Sequence, residues 1–138
     1  MQLKAKLNYK AKESNVNYNI LLRLYMYERF IERLSLSKYR DHFILKGGFY
    51  LSTLFGVNRR TTMDIDTAFR NADFTEENIT KMIKEMISID LEDNVKLHFT
   101  GISSIRDEDE YGGYRINITV EIENIRDNFH LDIVAGDP

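Results

Sequence analysis

Three aspartates are the residues of this 138-residue chain whose spacing most directly suggests chemistry. Asp64 and Asp66 flank Ile65 in a predicted β-strand over residues 62–69. Because side chains alternate across a strand, we expect both carboxylates on one face while Ile65 enters the core. Adjacent carboxylates repel each other unless a cation lies between them, and Mg²⁺ commonly binds one or two carboxylates together with substrate phosphates. The pair therefore predicts a divalent-metal site.

Asp132 is the third aspartate, set between two apolar residues in a predicted strand over residues 130–134. Taken alone, it is more typical of a surface residue on an edge strand than of a catalytic group. Beside Asp64 and Asp66, it would complete a two-metal site, which holds the attacking and leaving oxygens of an in-line displacement. His130 is predicted on the same face of the strand as Asp132. The sequence leaves two roles open for it, a contact to Asp132 and an ordinary strand histidine.

A glycine pair, Gly47-Gly48, ends a short apolar run and leads into a predicted helix over residues 49–55. Backbone N–H groups at the start of a helix bind phosphate. The neighbouring Lys46 is open between a phosphate contact and a solvated lysine. Together with the aspartates, the glycines indicate nucleotide chemistry.

Hydrophobic periodicity predicts the elements that position these residues. A helix capped by Asn15 or Asn17 is indicated by an apolar stripe of Ile20, Leu24, Tyr27, Ile31 and Leu34. Its charged residues are expected as charge pairs on the surface: Glu28, Arg29, Glu32 and Arg33. A second stripe over residues 79–86 follows the cap sequence 73–76. Strands are predicted over 42–45, 62–69, 95–105, 114–122 and 130–134. The pattern predicts an α/β (α+β) fold, a mixed twisted sheet with helices mainly on one face.

Composition sets limits on the class of protein. A hydrophobic fraction of 43% with 12% aromatic residues is typical of a globular domain, and a net charge of −3 gives no general attraction to polyanions. The absence of cysteine excludes disulfides and thiolate chemistry. Neither a signal peptide nor a membrane span is predicted, so we expect a cytoplasmic protein. Residues 1–16 are predicted to be a basic N-terminal arm, which is either a solvated terminus or a segment that contacts nucleic acid.

Four stretches, in order, resemble one protein family: YMYERFIERL, ILKGGFYL, RRTTMDIDTAF and FHLDIVAGDP. They are similar to the polymerase-β-type nucleotidyltransferases, and most closely to the AbiEii/AbiGii abortive-infection toxins, from about Leu21 onwards. The resemblance implies a metal-dependent enzyme that moves an NMP from an NTP to a hydroxyl acceptor, RNA and tRNA in particular. It also implies a toxin of a toxin–antitoxin or phage-defence system, with a cognate antitoxin as partner.

The resemblance also implies roles for individual residues. The paired and third acidic positions of the family fall on Asp64, Asp66 and Asp132, which are implied to be catalytic and to hold two Mg²⁺ ions. The glycine motif falls on Gly47 and Gly48, implied to hold the triphosphate of the NTP.

The family's R-x-T element falls on Arg60 and Thr62, just before the paired aspartates, and implies a phosphate or structural role for Arg60. Family members continue after the third acidic strand into a mostly helical region. Residues 17–138 are therefore expected to be a catalytic domain that stops before a C-terminal helical domain. Whether this part turns over alone is open.

Two other functions remain open from the residues. One is a module that binds nucleotide, RNA or antitoxin without turnover. The other is a sugar-nucleotide transferase, which commonly uses an aspartate pair of the Asp64–Asp66 kind. That reading leaves Gly47, Gly48 and Asp132 without a role.

Overall fold

A mixed β-sheet forms the centre of the computed structural model, which describes residues 3–15, 17–45, 64–105 and 112–136, with only the backbone of Asp64. Its elements in chain order are α1 (Leu3–Ser14), α2 (Tyr18–Leu36), β1 (Phe43–Leu45), β2 (Asp64–Phe69), α3 (Glu76–Ile87), β3 (Val95–Ile105), β4 (Gly113–Ile122) and β5 (Ile125–Ala135). The spatial strand order is β1, β2, β5, β4, β3. β2 and β5 run parallel, whereas the other neighbouring pairs run antiparallel. The predicted fold class is confirmed.

One face of the sheet is the core of the protein. Alternate residues of the central strands point into it, and five of them are at most 1% exposed: Ile65, Ile116, Ile118, Leu131 and Ile133. Helix α2 packs on this face through Tyr27 and Phe30, whose rings meet the edge of Phe129 with centroids 5.2 and 5.6 Å away. Aromatic pairs favour this edge-on geometry. The alternation leaves the intervening polar residues on the opposite face, called the polar face below.

Helix α3 covers the same core face beside α2 and β3. Its stripe residues Ile79, Ile83 and Met86 are fully buried, as the sequence predicted. The side chain of Thr75 accepts a hydrogen bond from the Asn78 backbone N–H and begins the helix. Such a cap supplies an acceptor to one of the N–H groups that the first turn leaves unpaired.

Helix α2 begins at the predicted Asn17 cap, but one of its charged residues differs from expectation. Arg33 was predicted at the surface and is 1% exposed. Its guanidinium donates to both carboxylate oxygens of Asp93 and to the backbone carbonyls of Ile89 and Val95. The prediction was wrong because periodicity measures only the local stripe, and the segment before β3 folds over this side of α2.

The N-terminal basic segment forms helix α1, which the sequence did not predict. Leu7 is buried, and α1 lies against α2. The Leu3 backbone N–H donates to a carboxylate oxygen of Glu123, in the turn between β4 and β5. The lysines of this helix are exposed, whereas Leu3 and Leu7 pack against the hydrophobic core of the domain.

Strand β5 is longer than predicted, because it begins at Ile125 rather than at His130. A two-residue turn joins it to β4, with Glu123 at φ 55°, so that Ile122 pairs with Ile125. The predicted helix over 49–55 lies outside the described residues. Within the part of the chain that is described, no helix has both the length and the apolar character needed to cross a membrane.

Candidate active site

The register of the two parallel strands brings predicted site residues together. Asp66 of β2 is the Cα partner of Asp132 of β5, and Asp64 is the partner of His130. Buried Ile65 fixes this register, since a shift by one residue would turn its side chain to solvent. Neighbouring strands lie about 4.8 Å apart, so the two paired aspartates are immediate neighbours on the polar face.

Asp132 is held by a two-pronged ion pair with Arg115 of β4. Arg115 Nε donates to Oδ1 at 2.8 Å, and its Nη2 donates to Oδ2 at 3.0 Å. Arg115 is the Cα partner of Asp132 across the β4–β5 ladder, which places both side chains on the polar face. Planar guanidinium and carboxylate groups match best in this geometry. Asp132 therefore has a defined orientation and a positive neighbour.

Arg115 is a site residue that the sequence analysis missed. It lies within a correctly predicted strand, one position before buried Ile116, so its face was predictable. Its partner was not, because the contact with Asp132 depends on the β4–β5 register. The signal available from the sequence was a single basic residue in an otherwise uncharged stretch of that strand.

Next to the carboxylates, the polar face carries a network of uncharged side chains. Asn117 Nδ2 donates to Thr100 Oγ1 at 2.6 Å, and Asn128 Nδ2 donates to Asn117 Oδ1 at 2.9 Å. The Thr119 hydroxyl donates to Thr100 Oγ1 at 3.2 Å. The network orders this surface across β3, β4 and β5. The aspartates thus lie beside a hydrogen-bonded polar surface rather than in an apolar pocket.

The donor set fits a hard divalent cation in its chemistry. Asp66 and Asp132 offer carboxylate oxygens side by side, and Asp64 lies two positions before Asp66 on the same strand. Mg²⁺ prefers such oxygen ligands. Among the described side chains, which exclude that of Asp64, no group of three or more acidic, histidine or cysteine residues is arranged around a metal position.

The other predicted site residues stand as follows. Those predicted to bind the nucleotide lie outside the described residues: Lys46, Gly47, Gly48, Arg60 and Thr62. His130 is half-buried on β5, two positions before Asp132 in sequence and opposite Asp64 in register. A groove lined by Thr75, Lys81 and Ile102 runs along α3, on the core side of the sheet away from the aspartates.

Comparison with known proteins gives one match. Residues 29–138 match the family model described as nucleotidyl transferase AbiEii toxin, type IV toxin–antitoxin system. A search of curated proteins and a search of solved structures each found no match. The matched range covers most of the chain, including both strands that carry the aspartates. The chain therefore belongs to the AbiEii family of nucleotidyl transferase toxins.

Proposed function

We propose that this chain is a metal-dependent nucleotidyltransferase that moves an NMP from an NTP to a hydroxyl of RNA, tRNA in particular. The observation that supports the proposal most directly is the in-register pairing of Asp66 with Asp132, in a chain of the AbiEii family. Two carboxylates on neighbouring parallel strands give a fixed spacing that no loop would provide. The polar face beside them is uncovered by the helices described above.

The reaction proposed is an in-line displacement at the α-phosphorus of the NTP. The acceptor oxygen forms a bond to that phosphorus while the bond to the α–β bridging oxygen breaks. Pyrophosphate leaves with the bonding electrons, and the acceptor proton passes to solvent. Mg²⁺ held by Asp64, Asp66 and Asp132 would supply positive charge for the triphosphate and the leaving pyrophosphate.

The protein's own contribution in this proposal is orientation. Buried Ile65 and Leu131 anchor the two strands, so the carboxylates of Asp66 and Asp132 start from fixed backbone positions. Arg115 further restricts the rotation of Asp132. Holding reactants in a productive geometry accounts for a large share of catalysis in phosphoryl transfer. Gly47, with its neighbours in the glycine motif, is proposed to bind the triphosphate.

The biological setting follows from the family. A type IV toxin–antitoxin family implies a cognate antitoxin, and we propose that this chain is the toxin of such a pair. Action in the cytoplasm, where NTPs and RNA are found, and a role in phage defence are parts of the same proposal.

The test is transfer of label from each α-³²P-labelled NTP to total tRNA, with and without Mg²⁺. Asp66→Asn and Asp132→Asn should lower labelling by at least on the order of a hundredfold, the scale seen when a group that stabilises transition-state charge is removed. Glu121→Gln is the matched control, since Glu121 lies on the polar face of β4 six residues from Arg115, or roughly 20 Å.

Equal labelling by wild type and Asp66→Asn would refute the assignment of the catalytic carboxylates. Calorimetric titration of each NTP distinguishes a nucleotide-binding module without turnover from an enzyme. Mg²⁺-dependent binding that Asp66→Asn abolishes, without any labelling by the wild type, would identify a nucleotide-binding module. A chain extended past residue 138 should be assayed in parallel.

A further inference from the structure

The ion pair between Arg115 and Asp132 occupies the place where the proposed function needs a metal ligand. Both carboxylate oxygens accept hydrogen bonds from the guanidinium, at 2.8 and 3.0 Å. A carboxylate offers about four acceptor positions, so this contact uses about half of them. The Asp132 side chain is only 16% exposed, whereas that of Arg115 is 44% exposed. Arginine, rather than solvent, is therefore the main partner of this carboxylate.

The neighbouring negative charges explain why a positively charged group lies beside Asp132. The β2–β5 register makes Asp66 and Asp132 immediate neighbours, with Asp64 two pairs further along the ladder. Neighbouring carboxylates repel each other unless a positive group lies close. Arg115 is such a group, and a guanidinium stays protonated throughout the physiological pH range.

We propose that Arg115 is a positioning residue that orients Asp132 and neutralises its charge while no metal is bound. A divalent cation that binds to the carboxylates is then repelled by the positive charge of Arg115. The inference rests on the proposed function, which makes Asp132 a metal ligand. It has two consequences. Asp132 is already oriented before any metal arrives. A divalent cation alone binds weakly, because the guanidinium repels it, whereas a cation that arrives with a triphosphate brings compensating negative charge.

The test measures Mn²⁺ binding to the nucleotide-free chain, from the electron paramagnetic resonance signal of free Mn²⁺. Arg115→Gln should bind Mn²⁺ more tightly than wild type by on the order of tenfold or more, because a unit positive charge next to the site has been removed. Arg115→Met repeats the measurement with a second neutral side chain. Arg115→Lys keeps the positive charge but loses the planar guanidinium that makes two parallel hydrogen bonds, and its Mn²⁺ affinity should stay near that of wild type.

Arg126→Gln is the matched control for net charge. Arg126 lies on the same face of β5 as Asp132 but six residues away, roughly 20 Å, which is beyond the Debye length of about 8 Å at physiological ionic strength. Its Mn²⁺ affinity should differ from that of wild type by less than about twofold. Far-UV circular dichroism confirms that each variant is folded. Adding Asp132→Asn to Arg115→Gln should remove the gain in affinity.

Folded Arg115→Gln and Arg115→Met variants that bind Mn²⁺ no more tightly than wild type would overturn the inference, whether or not the wild type binds it at all. Failure of the proposed function gives a different result. In that case Arg115→Gln still gains Mn²⁺ affinity through Asp132, but the wild type transfers no nucleotide in the labelling assay. Conversely, wild-type labelling with unchanged Mn²⁺ affinity in the Arg115 variants refutes this inference alone.

Discussion

Removing the buried guanidinium of Arg33 should destabilise the fold strongly. Arg33 is 1% exposed and donates to both oxygens of Asp93, at 3.0 and 3.1 Å, and to the backbone carbonyls of Arg29, Ile89 and Val95. Arg33→Met keeps much of the hydrocarbon stem but leaves these acceptors without their donor. Removing one partner of a buried ion pair costs about 3–5 kcal/mol. Because Arg29 still contacts Asp93, we expect the lower end, about 3 kcal/mol.

Arg29→Met is the matched control, since Arg29 lies on the same helix and contacts the same carboxylate. Its Nη1 lies 3.3 Å from Asp93, but its other ion pairs are with the exposed carboxylates of Glu28 and Glu32. Exposed pairs contribute about 0–1 kcal/mol, so Arg29→Met should cost about 1 kcal/mol or less. Urea unfolding followed by circular dichroism gives both values, and unchanged m-values would show that the unfolded states are comparable.

The same ion pair should make stability depend on pH. Burial by itself raises the pKa of the Asp93 carboxyl, but hydrogen bonds from Arg33 and the Val95 N–H, with the attraction of the guanidinium, bring the pKa below its ordinary value. The folded protein therefore holds this proton less tightly than the unfolded chain. The stabilisation is complete above the unfolded pKa, near 4, and is lost as pH falls through the folded pKa.

Unfolding of wild type and Asp93→Asn across this acidic range should show that the difference between their free energies of unfolding shrinks as pH falls.

Equal losses of stability in Arg33→Met and Arg29→Met would show that burial does not set the cost of removing Arg33. A loss of less than about 1 kcal/mol in Arg33→Met, the value of an exposed pair, would show the same.

Two further changes test the packing around the sheet and the start of α3. A Cβ at Gly113 would lie 2.5 Å from the Ile133 carbonyl oxygen, so Gly113→Ala should lower the free energy of unfolding by about 1–3 kcal/mol. Gly101→Ala places nothing within 4 Å of the new Cβ and should lower it by less than about 0.5 kcal/mol, both measured by urea unfolding. Thr75→Ala removes the acceptor for the Asn78 N–H and should lower the free energy of unfolding by about 1 kcal/mol, while Thr75→Ser, which keeps the hydroxyl, should stay near wild type. Similar stabilities for the two alanine-for-glycine variants, or for the two Thr75 variants, would contradict these expectations.

Some features of the candidate site follow from the local sequence pattern, whereas others depend on contacts between distant segments of the chain. Alternation around Ile65 was enough to predict a strand with aspartates on one face, and the strand is observed from Asp64 to Phe69. That Asp66 is the partner of Asp132 required the pairing of β2 with β5, two strands about sixty residues apart. A hydrophobic period records which face is buried, but it carries no information on which strand lies alongside.

The sequence by itself determined the α+β class, the buried stripe of α3 and the family, because each depends on neighbours along the chain. The predicted stripe of α2 was only partly right, since Tyr27 and Leu34 are buried whereas Ile20, Leu24 and Ile31 are only half-buried. The tertiary structure alone decided which charges meet. Arg33, predicted at the surface, is buried against Asp93, and Arg115, whose partner no local pattern indicated, holds Asp132. Ion pairs across the fold form where backbone register and burial bring two groups together, and neither is encoded in the spacing of one element.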